Sequence, residues 1–292
     1  MLPWRRLCLR REMDPSYLLT TGQSFSWASV GDDLWVGVID DAVLELRKAG
    51  EEVEFRSVFG SCGEKRIRSY FDLDYDYTLN RENAPASVLR VVDRRPGVRI
   101  LQQEPLETLI SFICSANNNI KRITQLCFAL REKYGTFLGE KSYADTHIRF
   151  HAFPNLRQLS SASPEELRGL GLGYRADYVF RTVTALRESG IDSLLRLRDL
   201  PTEEARAELV RYRGVGRKVA DCVLLFGIGK REVVPVDVHI KRIAKAHFGI
   251  KESGASSYEA VQTAFSSICP ENAGWLQAVL FIDSVLWGTR QT

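Results

Sequence analysis

The apolar residues of this chain change their spacing near residue 105, and that change limits what the chain can fold into. Before it, residues 34 to 58 read LWVGVIDDAVLELRKAGEEVEFRSV, with Leu44 and Leu46, then Val53 and Phe55, alternating with polar neighbours. Turn signals stand at Asp40-Asp41 and Ala49-Gly50. A period of two buries one face of a strand, so this stretch predicts an antiparallel meander. Val98, Ile100 and Leu101 are a further strand candidate, while residues 64 to 94 read as helical or irregular. After the change, Leu106, Leu109, Ile110 and Ile113 recur at i, i+3, i+4 and i+7, one stripe of a helix. Similar stripes follow at Ile120, Ile123, Cys127 and Leu130, at Val219, Cys222, Val223 and Phe226, at Ile240, Ile243, Ala244 and His247, and at Tyr258, Val261, Phe265 and Ile268. The expected architecture is α+β: a small β-rich domain over residues 1–104, then a helical domain over residues 105–292 with room for a groove.

Size and charge fit that division. At about 150 residues per domain, 292 residues suggest two. No uninterrupted apolar stretch approaches the roughly 20 residues that cross a bilayer, so no membrane partner is expected. The net charge of +3 identifies no partner by itself. Its distribution says more: Arg5, Arg6, Arg10 and Arg11 stand against Glu12, and residues 211 to 251 carry ten Lys or Arg against Asp221, Glu232 and Asp237. The first cluster reads as a loose arm rather than a targeting signal. The second reads as a solvated helix face unless a phosphate-binding motif lies inside it. The six cysteines show no C-x-x-C and no metal-like spacing with the four histidines, so structural zinc is not expected and free thiols in a reducing compartment are.

A phosphate-binding candidate does lie inside the basic segment. Gly214-Val215-Gly216 separates two helical stripes, permitting a tight hairpin, over about residues 209–221, whose amides open a new helix. Such amides, the helix dipole and the charges of Arg213, Arg217 and Lys218 attract phosphate. An ordinary glycine cap before a helix start explains the glycines equally well. Further on, Pro235 interrupts the chain and Asp237 can cap the helix that begins there.

Taken together, the hairpin with its lysine and the Val236-Asp237-Val238-His239 run resemble the signature of the helix-hairpin-helix DNA glycosylase superfamily. More narrowly, the chain resembles 8-oxoguanine DNA glycosylases of the bifunctional glycosylase and apurinic-site lyase type. The resemblance spans nearly the whole chain. It includes Thr21-Gly22-Gln23-Ser24-Phe25-Ser26-Trp27, Ser111-Phe112-Ile113-Cys114-Ser115-Ala116-Asn117-Asn118-Asn119-Ile120, Gly171-Leu172-Gly173-Tyr174-Arg175-Ala176, the hairpin, and Ala273-Gly274-Trp275-Leu276-Gln277-Ala278-Val279-Leu280-Phe281. It implies a TATA-binding-protein-like β domain joined to a helical domain.

By this resemblance, Lys218 is the nucleophile that attacks C1′ of a damaged nucleotide, and Asp237 is the carboxylate that stabilises positive charge on the sugar. Arg217 is expected beside the amine. A base inside a duplex must first be flipped out. The resemblance gives Gly22 a backbone carbonyl that accepts the N7 proton of 8-oxoguanine, Cys222 and Phe281 the faces of the base, and Gln277 its Watson-Crick edge. Packing on helical stripes is the competing account for the last three. Asn117 and Tyr174 match the residues that fill the vacated space, and Arg122 and Arg175 match those that read the opposite cytosine. Gly214 and Gly216 would grip the DNA backbone. His239 reads either as a phosphate contact or as a buried, satisfied histidine.

Two departures from the family stand out: Arg213 where proline is common, and Ser26 where arginine is frequent. An alkylation-base glycosylase would lack the lysine, and an iron-sulfur branch would need four closely spaced cysteines where only Cys269 lies. A non-enzymatic DNA-binding module would not need Lys218 and Asp237 together. The expectations are damaged double-stranded DNA as partner, a monomer, no required cofactor and no iron-sulfur cluster. Hairpins of this class often bind a structural monovalent cation. Location would be nuclear in a eukaryote, or cytoplasm and nucleoid in a prokaryote.

Overall fold

In the computed structural model, residues 2–144, 146–250 and 257–288 are described. Strands β1 (Arg5–Leu9), β2 (Trp27–Gly31), β3 (Leu34–Ile39), β4 (Ala42–Ala49) and β5 (Glu52–Phe59) form one antiparallel sheet in the order β1-β5-β4-β3-β2. The meander expected over 34–58 is therefore present as β3 to β5. Leu44, Leu46, Val53 and Phe55 are at most 2% exposed. Burying each contributes about 1.5–3 kcal/mol.

Helices in chain order are α1 (Pro15–Leu18), α2 (Glu64–Tyr70), α3 (Ala86–Arg94), α4 (Pro105–Cys114) and α5 (Ile120–Tyr134). Strands β6 (Phe137–Tyr143) and β7 (Thr146–His151) interrupt them as a hairpin. Then come α6 (Leu156–Leu159), α7 (Pro164–Gly169), α8 (Arg175–Ser189), α9 (Asp192–Leu195), α10 (Thr202–Val210), α11 (Arg217–Val223), α12 (Val238–Phe248), α13 (Ser257–Ile268) and α14 (Ala273–Gly288). Local chemistry sets the boundaries. Glu104 caps α4, with Pro105 pre-set for the first turn. Ser163 and Glu166 form a capping box on α7, and α12 stops at Gly249 in the left-handed conformation.

The structure corrects three expectations. The arginine-rich start is not a loose arm: Arg5–Leu9 pairs with β5, and Arg5 and Arg6 form ion pairs with Glu64 and Glu52. Val98, Ile100 and Leu101 form no strand. Their segment is held by side chains instead, with Gln23 Nε2 donating to Arg99 O at 3.0 Å and Leu101 N donating to Gln23 Oε1 at 3.1 Å. The part after residue 105 is not all helical, because β6 and β7 lie against the outer face of the sheet, where Tyr143 and Phe150 pack with Val36, Val38 and Val43. On the other face, buried apolar side chains form one continuous cluster from Leu7 to Ile282.

Candidate active site

The glycine hairpin is built as its residues require. Gly214 has φ +83°, and a Cβ there would lie 2.4 Å from the ring of Tyr178, so only glycine lets the turn close on α8. Gly216 stands immediately before α11. Arg213 is exposed, with its guanidinium 5.8 Å from the Tyr178 ring centre. Arg217 does not line the pocket with Lys218. It turns to Glu259 and Gln262 on α13, because successive residues on a helix point about 100° apart.

Lys218, on the first turn of α11, places Nζ 5.4 Å from the ring centre of Phe112. Cys222, one turn on, is 3% exposed, and burial pushes its thiol up to about 11. Lys218 pulls that thiol down while Asp221 and Asp237 push it up, so the amine and the carboxylate of Asp237 both act at the same sulfur. Asp237 caps α12: its Oδ1 accepts from His239 N at 2.9 Å and from Ile240 N at 3.0 Å. Among the described residues, no hydrogen bond falls on Oδ2.

One narrow pocket joins these groups to the rest of the expected base site. Its walls include Gly22, Lys218, Cys222, Asp237, Gln277 and Phe281. Gly22 has φ +95°, and no described donor binds its carbonyl oxygen. Gln23 and Gln103 fix the surrounding turn, the latter by donating from Nε2 to Gln23 O at 2.7 Å. Gln277 and Phe281 lie one turn apart on α14, and Gln277 is 7% exposed. His239 is exposed, which removes the buried alternative, and its ring meets Phe281 edge-on at 6.3 Å. Phe112 was not singled out from the sequence, although it lies within a quoted block. It stacks on Phe226 at 5.6 Å and floors the pocket beside the lysine.

The pocket opens into a wider cleft of about 930 Å³ that also takes in Asn117 and His239. The asparagine triplet divides its labour. Asn119 Oδ1 caps α5 by accepting from Arg122 N at 3.0 Å, Asn118 Nδ2 donates to Cys114 O at 3.0 Å, and exposed Asn117 sits at φ +48°. Around that raised residue the remaining positions gather. Arg175 donates from Nη2 to Ala116 O at 2.5 Å and to Asn117 O at 2.8 Å, and Tyr174 Oη donates to Ala116 O at 3.0 Å. Arg122 Nη2 donates to Gly171 O at 3.1 Å. Ser26, at the other departure, is buried, donating to Glu107 and accepting from Arg131 at 2.7 Å.

A sheet backed by helices, with a glycine hairpin placing a lysine at a pocket that opens on a cleft, is matched by a family of base-excision repair proteins. Family profiles agree: the profile described as HhH-GPD superfamily base excision DNA repair protein matches residues 110–271, and the one described as 8-oxoguanine DNA glycosylase, N-terminal domain, matches residues 7–109. The chain belongs to the HhH-GPD superfamily, in its 8-oxoguanine glycosylase branch, and is a bifunctional DNA N-glycosylase and lyase. It is 36% identical to N-glycosylase/DNA lyase OGG1 of Arabidopsis thaliana over 281 residues, covering 90% of this chain and 74% of that protein. It is 33% identical to N-glycosylase/DNA lyase of Saccharomyces cerevisiae, covering 94% and 84%. A Clostridium acetobutylicum 8-oxoguanine glycosylase/lyase, solved with double-stranded DNA containing cytosine opposite 8-oxoG, superposes with a TM-score of 0.83 at 28% identity, covering 95% and 93%.

Proposed function

We propose that this enzyme flips 8-oxoguanine, paired with cytosine, out of duplex DNA, cleaves its N-glycosidic bond through a Schiff base on Lys218, and nicks the strand by β-elimination. The observation that carries the reading is the convergence of Lys218, Asp237, Gly22, Cys222, Gln277 and Phe281 on one pocket. Lys218 Nζ attacks C1′ as the bond from C1′ to the base breaks and the base leaves with the electron pair. Asp237 keeps Oδ2 for the positive charge that develops on the sugar, while Oδ1 is committed to α12. The attacking nitrogen then loses a proton, the C1′–O4′ bond breaks and O4′ is protonated, which opens the sugar to an iminium; this makes the C2′ proton acidic, and its loss expels the 3′ phosphate.

Recognition follows from the remaining positions. 8-Oxoguanine carries a proton at N7 where guanine has an acceptor, and the unengaged carbonyl of Gly22 is the acceptor that tells them apart. Cys222 stays a neutral thiol well above physiological pH, which suits it to lie against a base face opposite Phe281. The Gln277 amide serves the Watson-Crick edge. Asn117 and Tyr174 fill the vacated space, Arg122 and Arg175 take the cytosine, and Gly214, Gly216 and His239 hold phosphates. Hairpin carbonyls such as Tyr212 O and Arg213 O, which already accept from Val215 N and Thr182 Oγ1, each keep a second lone pair for a monovalent cation. No step passes through that ion.

Borohydride added during reaction with a duplex holding 8-oxoguanine opposite cytosine is expected to trap a covalent protein-DNA adduct. Lys218→Gln is expected to abolish it, and an adduct that persists in that variant would exclude Lys218 as the nucleophile.

A further inference from the structure

Behind the pocket, a buried network of side chains ties the helix that carries Lys218 to the segment that carries Asp237. Asp221 lies on α11, three residues after Lys218, and is fully buried. Its Oδ1 accepts from Arg206 Nε at 2.5 Å. Its Oδ2 accepts from Tyr258 Oη at 2.6 Å and from Gln262 Nε2 at 3.2 Å. Tyr258 and Gln262 stand one turn apart on α13, and both reach onward to the chain entering Asp237. Val236 N donates to Tyr258 Oη at 3.3 Å, and Gln262 Nε2 also donates to Val234 O at 3.2 Å. On the lysine side, Arg217 Nη2 donates to Gln262 Oε1 at 3.0 Å while its guanidinium lies 4.3 Å from the Tyr258 ring centre.

This arrangement is out of proportion to a merely satisfied core. Residues 233–237 belong to no helix or strand, so side chains of α13 supply hydrogen bonds that a ladder would otherwise supply. The α13 residues line neither the pocket nor the wider cleft. Burial pushes the Asp221 carboxyl up, and the hydroxyl and guanidinium pull it back, so each member depends on the others. We propose that Tyr258 and Gln262, braced on Asp221, are positioning residues: they set the placement of the Asp237 carboxylate relative to the Lys218 amine. The inference rests on the assignment of those two as the reacting pair. Displacement of about 1 Å at such a pair costs on the order of 100-fold in rate.

Tyr258→Phe keeps the ring under Arg217 and removes only the hydroxyl. Three measurements test it: single-turnover excision from the lesion duplex, affinity for that duplex, and amide hydrogen exchange in the DNA-free protein. Excision is expected to slow at least tenfold while affinity stays within twofold, and exchange at Val236, His239 and Ile240 is expected to accelerate. In an Asp237→Asn background, the same substitution should change the residual rate less than twofold, because the carboxylate it places is gone. Gln262→Leu, which cuts the tie to Val234, should repeat the pattern and serves if Tyr258→Phe fails to fold. A Tyr258→Phe protein that excises at the wild-type rate, or loses the same factor in both backgrounds, overturns the proposal. A wild-type protein inert on 8-oxoguanine would instead sink the substrate assignment, and unchanged exchange at Val236 would still refute the tie.

Discussion

Asp237 illustrates how much one carboxylate can be asked to do. Oδ1 holds two amides of α12 while the side chain lines the pocket, so structure and chemistry can be separated by substitution. Asparagine is as good a cap as aspartate but carries no charge. Asp237→Asn is expected to melt close to wild type and to lose excision by about 100-fold or more, whereas Asp237→Ala should lose about 1 kcal/mol of stability as well. Thermal melts beside single-turnover rates check both. At this scale the sequence was informative where residue type and local spacing were enough. The hairpin opens a helix at Lys218, and the proline and helix start make Asp237 a cap, but local spacing alone favours a solvent-facing lysine and a plain cap; their chemical roles come from the resemblance to the glycosylase family. The sequence was silent where partners are remote: Tyr258 is 37 residues from Asp221, and nothing local to either marks the bond. Arg217 was placed beside the amine because it precedes it in the chain, yet helical rotation carries it to Glu259.

Among the elements, the β6-β7 hairpin shows why a strand pattern can hide. Its buried Tyr143 and Phe150 are too few to mark a period of two, and beside the valines they cover lies a buried acid. Glu45, in the middle of the meander, is fully buried beneath it and accepts bonds from Lys141 Nζ at 2.5 Å, Tyr143 Oη at 2.6 Å and Arg56 Nε at 2.6 Å. Alternation alone would put Glu45 in solvent; the hairpin, unreadable from period two, is what encloses it. Burial raises the Glu45 carboxyl, but the three donors outweigh it and hold the group below its ordinary 4.5. A carboxyl depressed in the folded state contributes stability above its unfolded value and loses it as pH falls through the folded one. Glu45→Gln is therefore expected to lower the melting temperature at pH 7, with the gap to wild type narrowing as pH falls below 4.5. Melts across pH 3 to 7 read that difference directly. β1 was missed for a related reason: its arginines look like a solvated run, and their acidic partners are supplied by residues 52 and 64.

Across the whole molecule, the change of period near residue 105 announces sheet and helices but not how they are joined. The joint is polar as well as apolar. Arg94 donates to Asp283 Oδ2 at 2.6 Å and Arg95 Nε to Asp283 Oδ1 at 2.8 Å, fastening α3 to the helix that bears Gln277 and Phe281. Arg94 reaches solvent, but Arg95 and Asp283 are buried, so Asp283→Asn leaves a buried guanidinium without its carboxylate and is expected to cost roughly 3 kcal/mol in denaturant unfolding while preserving one cooperative transition. That single transition is expected because the apolar interior is continuous from Leu7 to Ile282. The strand at Arg5–Leu9 has a wider effect than its five residues suggest. It occupies the border of the sheet, where β5 would otherwise offer bare amides and carbonyls to other copies of the protein. What reads as a loose cationic arm thus covers one side of β5 with an arginine-bearing strand, and removing it is expected to promote self-association, read by light scattering.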